Sequence, residues 1–558
     1  MRRSWLLPFV LFPAFAACAG SRAADSPAPR GATTAAITPA DLRVRASIFA
    51  HDSMQGRRTG TPGNVRGNAY ITGELARLGL RPAGDSGTYL QQVPLLRYTV
   101  DTARATLRAG SARLEVFEEY YPYQAIFEVP VRPIDGAQLL YIGGAADTAG
   151  LPPREELDGK LVVFRSEASG NALGAPDLSP QGRLGLIAGI AITQIDPLIA
   201  NFAQSLAEPQ VKLKQDLAVP PGATQPRMLF VPTGSVEALF GRTLDALRPG
   251  DTGPAIQGEV AFDAGDVGAS NVVAVLEGSD PALRGEYVAL GAHNDAIGVV
   301  EPVEHDSLRA YNTIMRPRGA NDPPSEPSEA QWGRIRGIID SLRKLRPARL
   351  DSIVNGADDD GSGSMGLLEV AEAASRGKRP RRSLLFVWHT GEEAGLHGSR
   401  WFTDHATVPR DSIVTQINTD MIARGNAEDE QKGGAGYVQV IGSRRLSTEL
   451  GDLAVSVNRD GKHGLAFDYT YDADGHPDNF YCRSDHYMYA RYGIPIAFFS
   501  TGGHRDYHQI TDELEYLDFD KFTAVTRFVA DLANRVANLD RRPVVDQPKP
   551  DPEAPCKQ

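Results

Sequence analysis

The chain has 558 residues, more than one ordinary domain uses, and is 42% apolar, 23% charged and 8% aromatic. That is the make-up of a globular protein with ample core material. Its formal net charge is −12 with no basic stripe, which argues against a nucleic-acid partner.

Residues 1–18 read as an export signal. Met1-Arg2-Arg3 is basic, and the apolar stretch from Trp5 to Ala17, broken by Pro8 and Pro13, is too short to span a bilayer. It ends Phe15-Ala16-Ala17-Cys18, similar to a bacterial lipoprotein cleavage site, which would make Cys18 an acylated membrane anchor. Ordinary secretion is the less favoured alternative, and both readings export the chain. Residues 19–40, rich in Ala, Ser, Thr and Pro, read as a flexible linker. With Cys18 lipidated, Cys482 and Cys556 could pair or stay free; the sequence leaves both open.

Residues 41–100 are the N-terminal part of the main domain, helical over Asn64 to Leu80 and then extended. Residues 101–265 change character to short β-like runs such as Gln138–Ile142, Lys160–Phe164 and Met228–Val231, separated by Gly and Pro. They read as an inserted β-rich domain. Residues 266–540 alternate strand, loop and helix, with buried-strand runs at 272–276, 287–290, 383–388, 413–417 and 494–499. This predicts an α/β fold: a mostly parallel central sheet with helices on both faces. Residues 300–355 interrupt the pattern. Within them Ser328–Gln331 reads as a capping box, opening a helix with an apolar stripe from Trp332 to Leu345. A packing helix is the favoured reading over a lid. Residues 541–558 form a Pro-rich tail.

Ligands in open α/β sheets gather at the carboxyl ends of strands. His293 directly follows one predicted strand, Glu392 and Glu393 a second, Asp420 a third, and His508 lies in the loop after a fourth. The Gly356–Gly361 loop adds Asp358, Asp359 and Asp360, among which composition cannot choose. One histidine after a strand is commonly a core or surface residue, and Glu392-Glu393 alone is what a helix N-terminus favours. Four such coincidences in one domain are much harder to read as neutral. Two imidazoles and three carboxylates balance two divalent ions with one hydroxide. With no cysteine present, N/O ligation fits zinc, or else cobalt or manganese. A second glutamate beside a ligating one is free to move a proton.

These stretches resemble the co-catalytic di-zinc exopeptidases of the MH clan, which include secreted leucyl aminopeptidases, aminopeptidase Y and glutamate carboxypeptidase. The clan's motifs G-x-H-x-D, G-A-D-D-x-x-S-G, Glu-Glu before G-L-x-G-S, N-x-D-M and a late His stand here as Gly291–Asp295, Gly356–Gly363, Glu392–Ser399, Asn418–Met421 and His508. The resemblance implies that His293 and Asp420 hold one zinc, that Glu393 and His508 hold the other, and that Asp359 bridges them. It makes Glu392 the general base and Asp295 the residue that orients His293. His504 is a rival for His508, but the following Thr511-Asp512 favours His508. Residues 101–265 resemble a protease-associated domain more weakly. Ser484-Asp485-His486 is similar to a further clan signature and is placed outside the metal shell. The implied function is metal-dependent removal of residues from peptides, with aminopeptidase favoured. Carboxypeptidase, glutaminyl cyclase and a non-catalytic receptor-like scaffold are the alternatives; oligomeric state is left undetermined.

Overall fold

The structure is a computed structural model that describes residues 33–123, 131–144, 152–165, 184, 186–193, 206–207, 209–217, 224–425 and 434–558. The stretch read as an export signal, with Cys18, and most of the residues read as a linker lie outside the described residues. Among the described residues no helix is long and apolar enough to cross a membrane.

The main sheet contains β1 (Leu90–Val100), β2 (Gln210–Leu213), β3 (Phe262–Leu276), β4 (Tyr287–His293), β5 (Ser383–His389), β6 (Ile413–Thr419), β7 (Tyr437–Ile441), β8 (Ala466–Asp468) and β9 (Ile496–Ser500). Across the sheet they run β8, β7, β9, β6, β4, β5, β3, β1, β2, with Arg81–Pro82 also paired to β3. The central four, β9, β6, β4 and β5, are parallel to one another. The flanks turn antiparallel at β7/β9, β3/β5, β1/β3 and β1/β2. The expected mostly parallel sheet is thus a mixed sheet with a parallel centre.

The continuous apolar runs have the expected physical cause, since every residue of β5 is buried. Leu384, Phe386 and Trp388 face one way, into a core built with the helices Pro39–Phe49, Pro62–Leu78, Gly361–Arg376 and Phe519–Ala537. Leu385 and Val387 face the other way, against Phe402 of the His397–Asp404 helix and Tyr489. The period of two along a strand thus feeds two cores at once.

A second sheet of eight strands lies between Thr106 and Glu259 and has its own apolar clusters on both faces. β1 and β3 pair continuously from Leu90↔Val272 to Val100↔Phe262, so one long ribbon carries the chain between the sheets. Residues Gln210–Leu213 return from that region to form the edge of the main sheet.

Residues 298–354 form a two-stranded hairpin enclosing the helices His305–Met315 and Glu329–Arg343. The Ser328–Gln331 capping box is present. The stripe on the second helix is shallow, because only Ile335 is buried while Trp332, Ile338, Ile339 and Leu342 are half-buried, and Leu345, beyond the helix end, is 82% exposed. Cys482 and Cys556 form a disulfide, fastening the C-terminal tail to the Phe480–Cys482 turn.

A charged cluster lies inside the first core. Arg45 is fully buried and pairs with Glu369 at 2.6 Å, Glu74 at 2.9 Å and Glu372. Burial, opposed by Arg45, pushes the Glu369 carboxyl up to about 7 from an ordinary 4.5. A carboxyl raised on folding stabilises fully below its unfolded pKa and loses that contribution as pH rises towards 7. Glu369→Gln is therefore expected to flatten the fall in stability between pH 4.5 and 7, read from denaturant midpoints. An unchanged slope would show that Glu369 does not carry that proton.

Candidate metal centre

Parallel strands end at the same edge, so the four central strands deliver their following residues to one place. His293 ends β4, the Glu392-Glu393 pair follows β5, Asp420 follows β6, and the loop after β9 reaches His508. The Gly356–Asp360 turn comes from the other direction and leads into the Gly361–Arg376 helix.

Two groups of three ligand-capable side chains result, His293–Asp359–Asp420 and Asp359–Glu393–His508, and they share Asp359. In the first, His293 Nε2 lies 3.1 Å from Asp359 Oδ1 and 3.7 Å from Asp420 Oδ1. In the second, His508 Nε2 lies 3.0 Å from Asp359 Oδ2 and 2.9 Å from Glu393 Oε2. Ligands at ~2.0 Å around a tetrahedral ion stand about 3.3 Å apart, so these spacings fit one ion per group. Buried His293 Nε2, Asp359 Oδ2 and Glu393 Oε1 make no hydrogen bond. Such atoms cost free energy unless something polar or ionic fills the gap between them. The donors are nitrogen and oxygen only, the set that zinc accepts in a catalytic site.

The structure separates the three consecutive aspartates. Asp358 accepts from the Ala423 N–H at 2.8 Å, and its other oxygen faces His504 Nε2 at 3.2 Å. Asp360 accepts from the N–H groups of His293, Gly363 and Met421 and caps the following helix. Only Asp359 turns its carboxylate to both histidines. His504 faces Asp358, away from the two groups, while His508 enters one of them.

Charges in this small volume hold each other. Burial opposes it, but Glu392, Asp295, Asp359 and Asp420 hold the His293 imidazole well above its ordinary pKa. Burial raises the Asp359 carboxyl, yet His293 and His508 bring it below the carboxylate range. Burial, reinforced by Asp420, Glu393 and Asp485 and opposed by His293, raises Glu392 well above that range. Glu392 belongs to neither group, and its Oε2 lies 4.0 Å from His293 Nε2.

The neighbouring shell holds residues the sequence reading placed differently or did not single out. His293 Nδ1 is 3.1 Å from the carbonyl oxygen of Asp295, whereas the Asp295 carboxylate lies 3.7 Å away. That carboxylate accepts from Thr59 Oγ1 at 2.7 Å and from the Glu392 N–H at 3.3 Å, so it also places the backbone of the glutamate pair. Ser484, set outside the shell on sequence grounds, donates to Asp420 Oδ2 at 2.8 Å and accepts from Asn418 Nδ2. The signal for Ser484 was the Ser484–His486 motif, whose partners lie far away in sequence, and Thr59 lies in the run Gly56-Arg57-Arg58-Thr59-Gly60-Thr61-Pro62-Gly63.

Two cavities flank the groups. One is an open cleft between Asp359, Glu392, Asp420 and His508 on one side and Phe480, Arg483, Phe498 and Asn321 on the other. The second lies beyond Glu393 and is lined by Arg58, Thr59, Ala296 and residues 209–211 of the β2 segment.

The loop carrying His508 is braced by residues 298–354. Asp506, fully buried, accepts from Arg424 Nη2 at 2.7 Å, Thr511 Oγ1 at 2.7 Å and Arg309 Nε at 3.2 Å. Asn312 donates to the Arg505 carbonyl, and the Ala320 N–H to that of Tyr507. Asp506→Ala removes the buried acceptor shared by Arg424, Arg309 and Thr511 and is expected to cost ~3–5 kcal/mol, measured as a shift in denaturant midpoint. A shift under about 1 kcal/mol would show that the loop is held by its other contacts.

Residues 335–533 match the family model described as Peptidase family M28. Leucine aminopeptidase 1 of Ajellomyces capsulatus (strain NAm1 / WU24) is 29% identical over 214 residues, 36% of this chain and 51% of that protein. Aminopeptidase Y of Saccharomyces cerevisiae is 29% identical over 197 residues, 33% of this chain and 34% of that protein. The chain thus spans about half or less of the length of these curated relatives. The solved aminopeptidase from Aneurinibacillus sp. strain AM-1 covers 92% of this chain and 97% of its own length, with a TM-score of 0.53 and 17% identity, a likeness of fold. The matched segment contains Asp359, Glu392, Glu393, Asp420 and His508 in the order of the motifs, and over it the chain is similar to peptidase family M28.

Proposed function

We propose that this chain is an exported di-zinc aminopeptidase that removes N-terminal residues from peptides in the cell envelope. The match of residues 335–533 to the M28 family model supports a zinc-dependent peptidase, and the exopeptidase direction, the count of two ions and the residue roles complete the proposal. The observation that carries it is the pair of three-ligand groups sharing Asp359, with one glutamate left outside both.

In this reading His293, Asp359 and Asp420 would hold one zinc and Asp359, Glu393 and His508 the other. Bound zinc supplies Lewis acidity, which lowers the pKa of water and polarises the scissile carbonyl. The chain's own residues do the rest. Glu392 takes the proton from the attacking water and later hands it to the leaving amine. Asp295 holds the Glu392 backbone through one carboxylate oxygen and the His293 ring through its carbonyl. Ser484 fixes the rotamer of Asp420 through the hydrogen bond to Oδ2. Residues 266–540 with 41–100 are the catalytic domain, 101–265 a protease-associated-type insert, and Cys18 the lipid anchor.

The test uses a soluble form beginning at Asp25, offered free-amine peptides and their N-acetylated versions with and without a chelator. The expected result is chelator-sensitive release from the free amines only. Release from the acetylated set would make the chain a carboxypeptidase. Release from neither set, with two metals bound, would sink the peptidase reading and favour cyclase or binding roles.

A further inference from the structure

The smaller of the two flanking cavities opens directly on Glu392 and Asp420. Its floor is Phe498, Ser500, Gly502 and Met421, buried and mostly apolar. Its rim comes from two places remote in sequence. Asn321 arrives from the 298–354 segment, and Phe480 and Arg483 from the turn before Ser484. Gly503 allows this approach, since a Cβ there would stand 2.8 Å from Asn321 Nδ2.

Arg483 is exposed at the mouth, and all its contacts are neutral. Its Nη2 donates to Asn321 Oδ1 at 3.1 Å and to the Tyr507 hydroxyl at 3.3 Å. Its Nη1 donates to the Asp478 carbonyl at 3.3 Å, and the guanidinium lies 5.4 Å from the Phe480 ring centroid. No described carboxylate pairs with it. This is unusual in a chain with 70 acidic and 58 basic residues, where most neighbouring arginines are paired, Arg318 for example with Asp322 and Asp478. A guanidinium positioned by neutral acceptors keeps its charge available for a ligand. The rim that carries it is also fixed in place. The Cys482–Cys556 disulfide adjoins it, and Gln558 Oε1 accepts from the Tyr481 N–H at 2.9 Å. Preorganisation of this kind lowers the ordering cost of binding.

We propose that this cavity selects peptides whose N-terminal side chain carries a carboxylate, with Arg483 as the group that recognises it. The inference rests on the aminopeptidase reading. The substrate amine then lies towards the glutamate side of the cavity, and the side chain points away from the ligand groups, between Phe480 and Phe498 and towards Arg483 and Asn321. The overall negative charge of the protein disfavours acidic peptides at long range, so the preference has to come from this local cation.

The experiment compares kcat/KM for matched peptides with N-terminal Glu, Gln, Leu and Lys on the zinc-loaded protein and on Arg483→Gln and Arg483→Glu. Glu is expected to exceed Gln by roughly five- to tenfold, a charge-assisted bond against a neutral one. In Arg483→Gln that ratio falls to about one, and Arg483→Glu moves the preference towards Lys. A wild-type ratio at or below one, or a ratio unchanged in Arg483→Gln, overturns the proposal. If no free-amine peptide is cleaved, the aminopeptidase reading falls separately. Calorimetric binding of L-glutamate against L-glutamine to the same zinc-loaded protein then decides. A glutamate preference lost in Arg483→Gln supports the proposal, and equal binding overturns it.

Discussion

Glu392→Gln is expected to lower kcat by about 10³-fold or more while zinc content and KM stay close to wild type. The magnitude follows from what a positioned general base contributes, ~10²–10⁴ in rate, with loss of its second role as proton donor to the amine added to it. Retained zinc follows from position, because Glu392 lies outside both ligand groups. The amide is isosteric and keeps the hydrogen bond from its own N–H to Asp295. The neighbouring substitution Glu393→Gln gives the contrast, since it removes a side chain of the second group and should lower metal content as well as rate. Zinc per chain by elemental analysis, read beside kcat, separates the two. If Glu392→Gln lost zinc and Glu393→Gln kept it, the roles of the pair would be exchanged. If Glu392→Gln kept near-normal turnover, no proton would pass through that carboxylate.

The residues that gather in the two groups stood out in the sequence because most of them follow strands whose apolar runs are unmistakable. Burial on both faces leaves little choice of residue in Ser383–His389, so the end of the run is sharp and Glu392-Glu393 stands out after it. Strand direction was not legible. The run at 272–276 announces burial but carries no sign of its antiparallel pairing with β5 and β1, which depends on where the chain goes between residues 100 and 262. The choice among Asp358, Asp359 and Asp360 was closed to composition for a related reason. What distinguishes them is which backbone N–H groups arrive from Ala423, Met421 and His293, and those contacts span 61 to 67 positions. Ser484, Thr59 and Arg483 were underweighted because each acts on a partner from a different element. Short motifs locate such residues without telling what they touch.

Asp359→Ala is expected to remove both zinc ions and abolish turnover, whereas Asp420→Ala and His508→Ala each remove one. Asp359 is the only side chain common to the two groups, with one oxygen 3.1 Å from His293 Nε2 and the other 3.0 Å from His508 Nε2. Its loss leaves each ion two protein ligands, too few for either zinc site to close. Thermal unfolding with and without added zinc supplies an independent readout. A ligand that binds only the folded state stabilises it by ~4 kcal/mol at a thousand times its Kd, so wild type should gain a clear rise in Tm and Asp359→Ala almost none. Asp358→Ala and Asp360→Ala are the controls. Their carboxylates serve backbone N–H groups, so the expected cost is folding stability of about 1–3 kcal/mol per orphaned donor, with the response to zinc preserved. One zinc retained by Asp359→Ala would mean that the two sites do not depend on a common ligand. A zinc response lost in Asp360→Ala but kept in Asp359→Ala would move the shared ligand one residue along the turn.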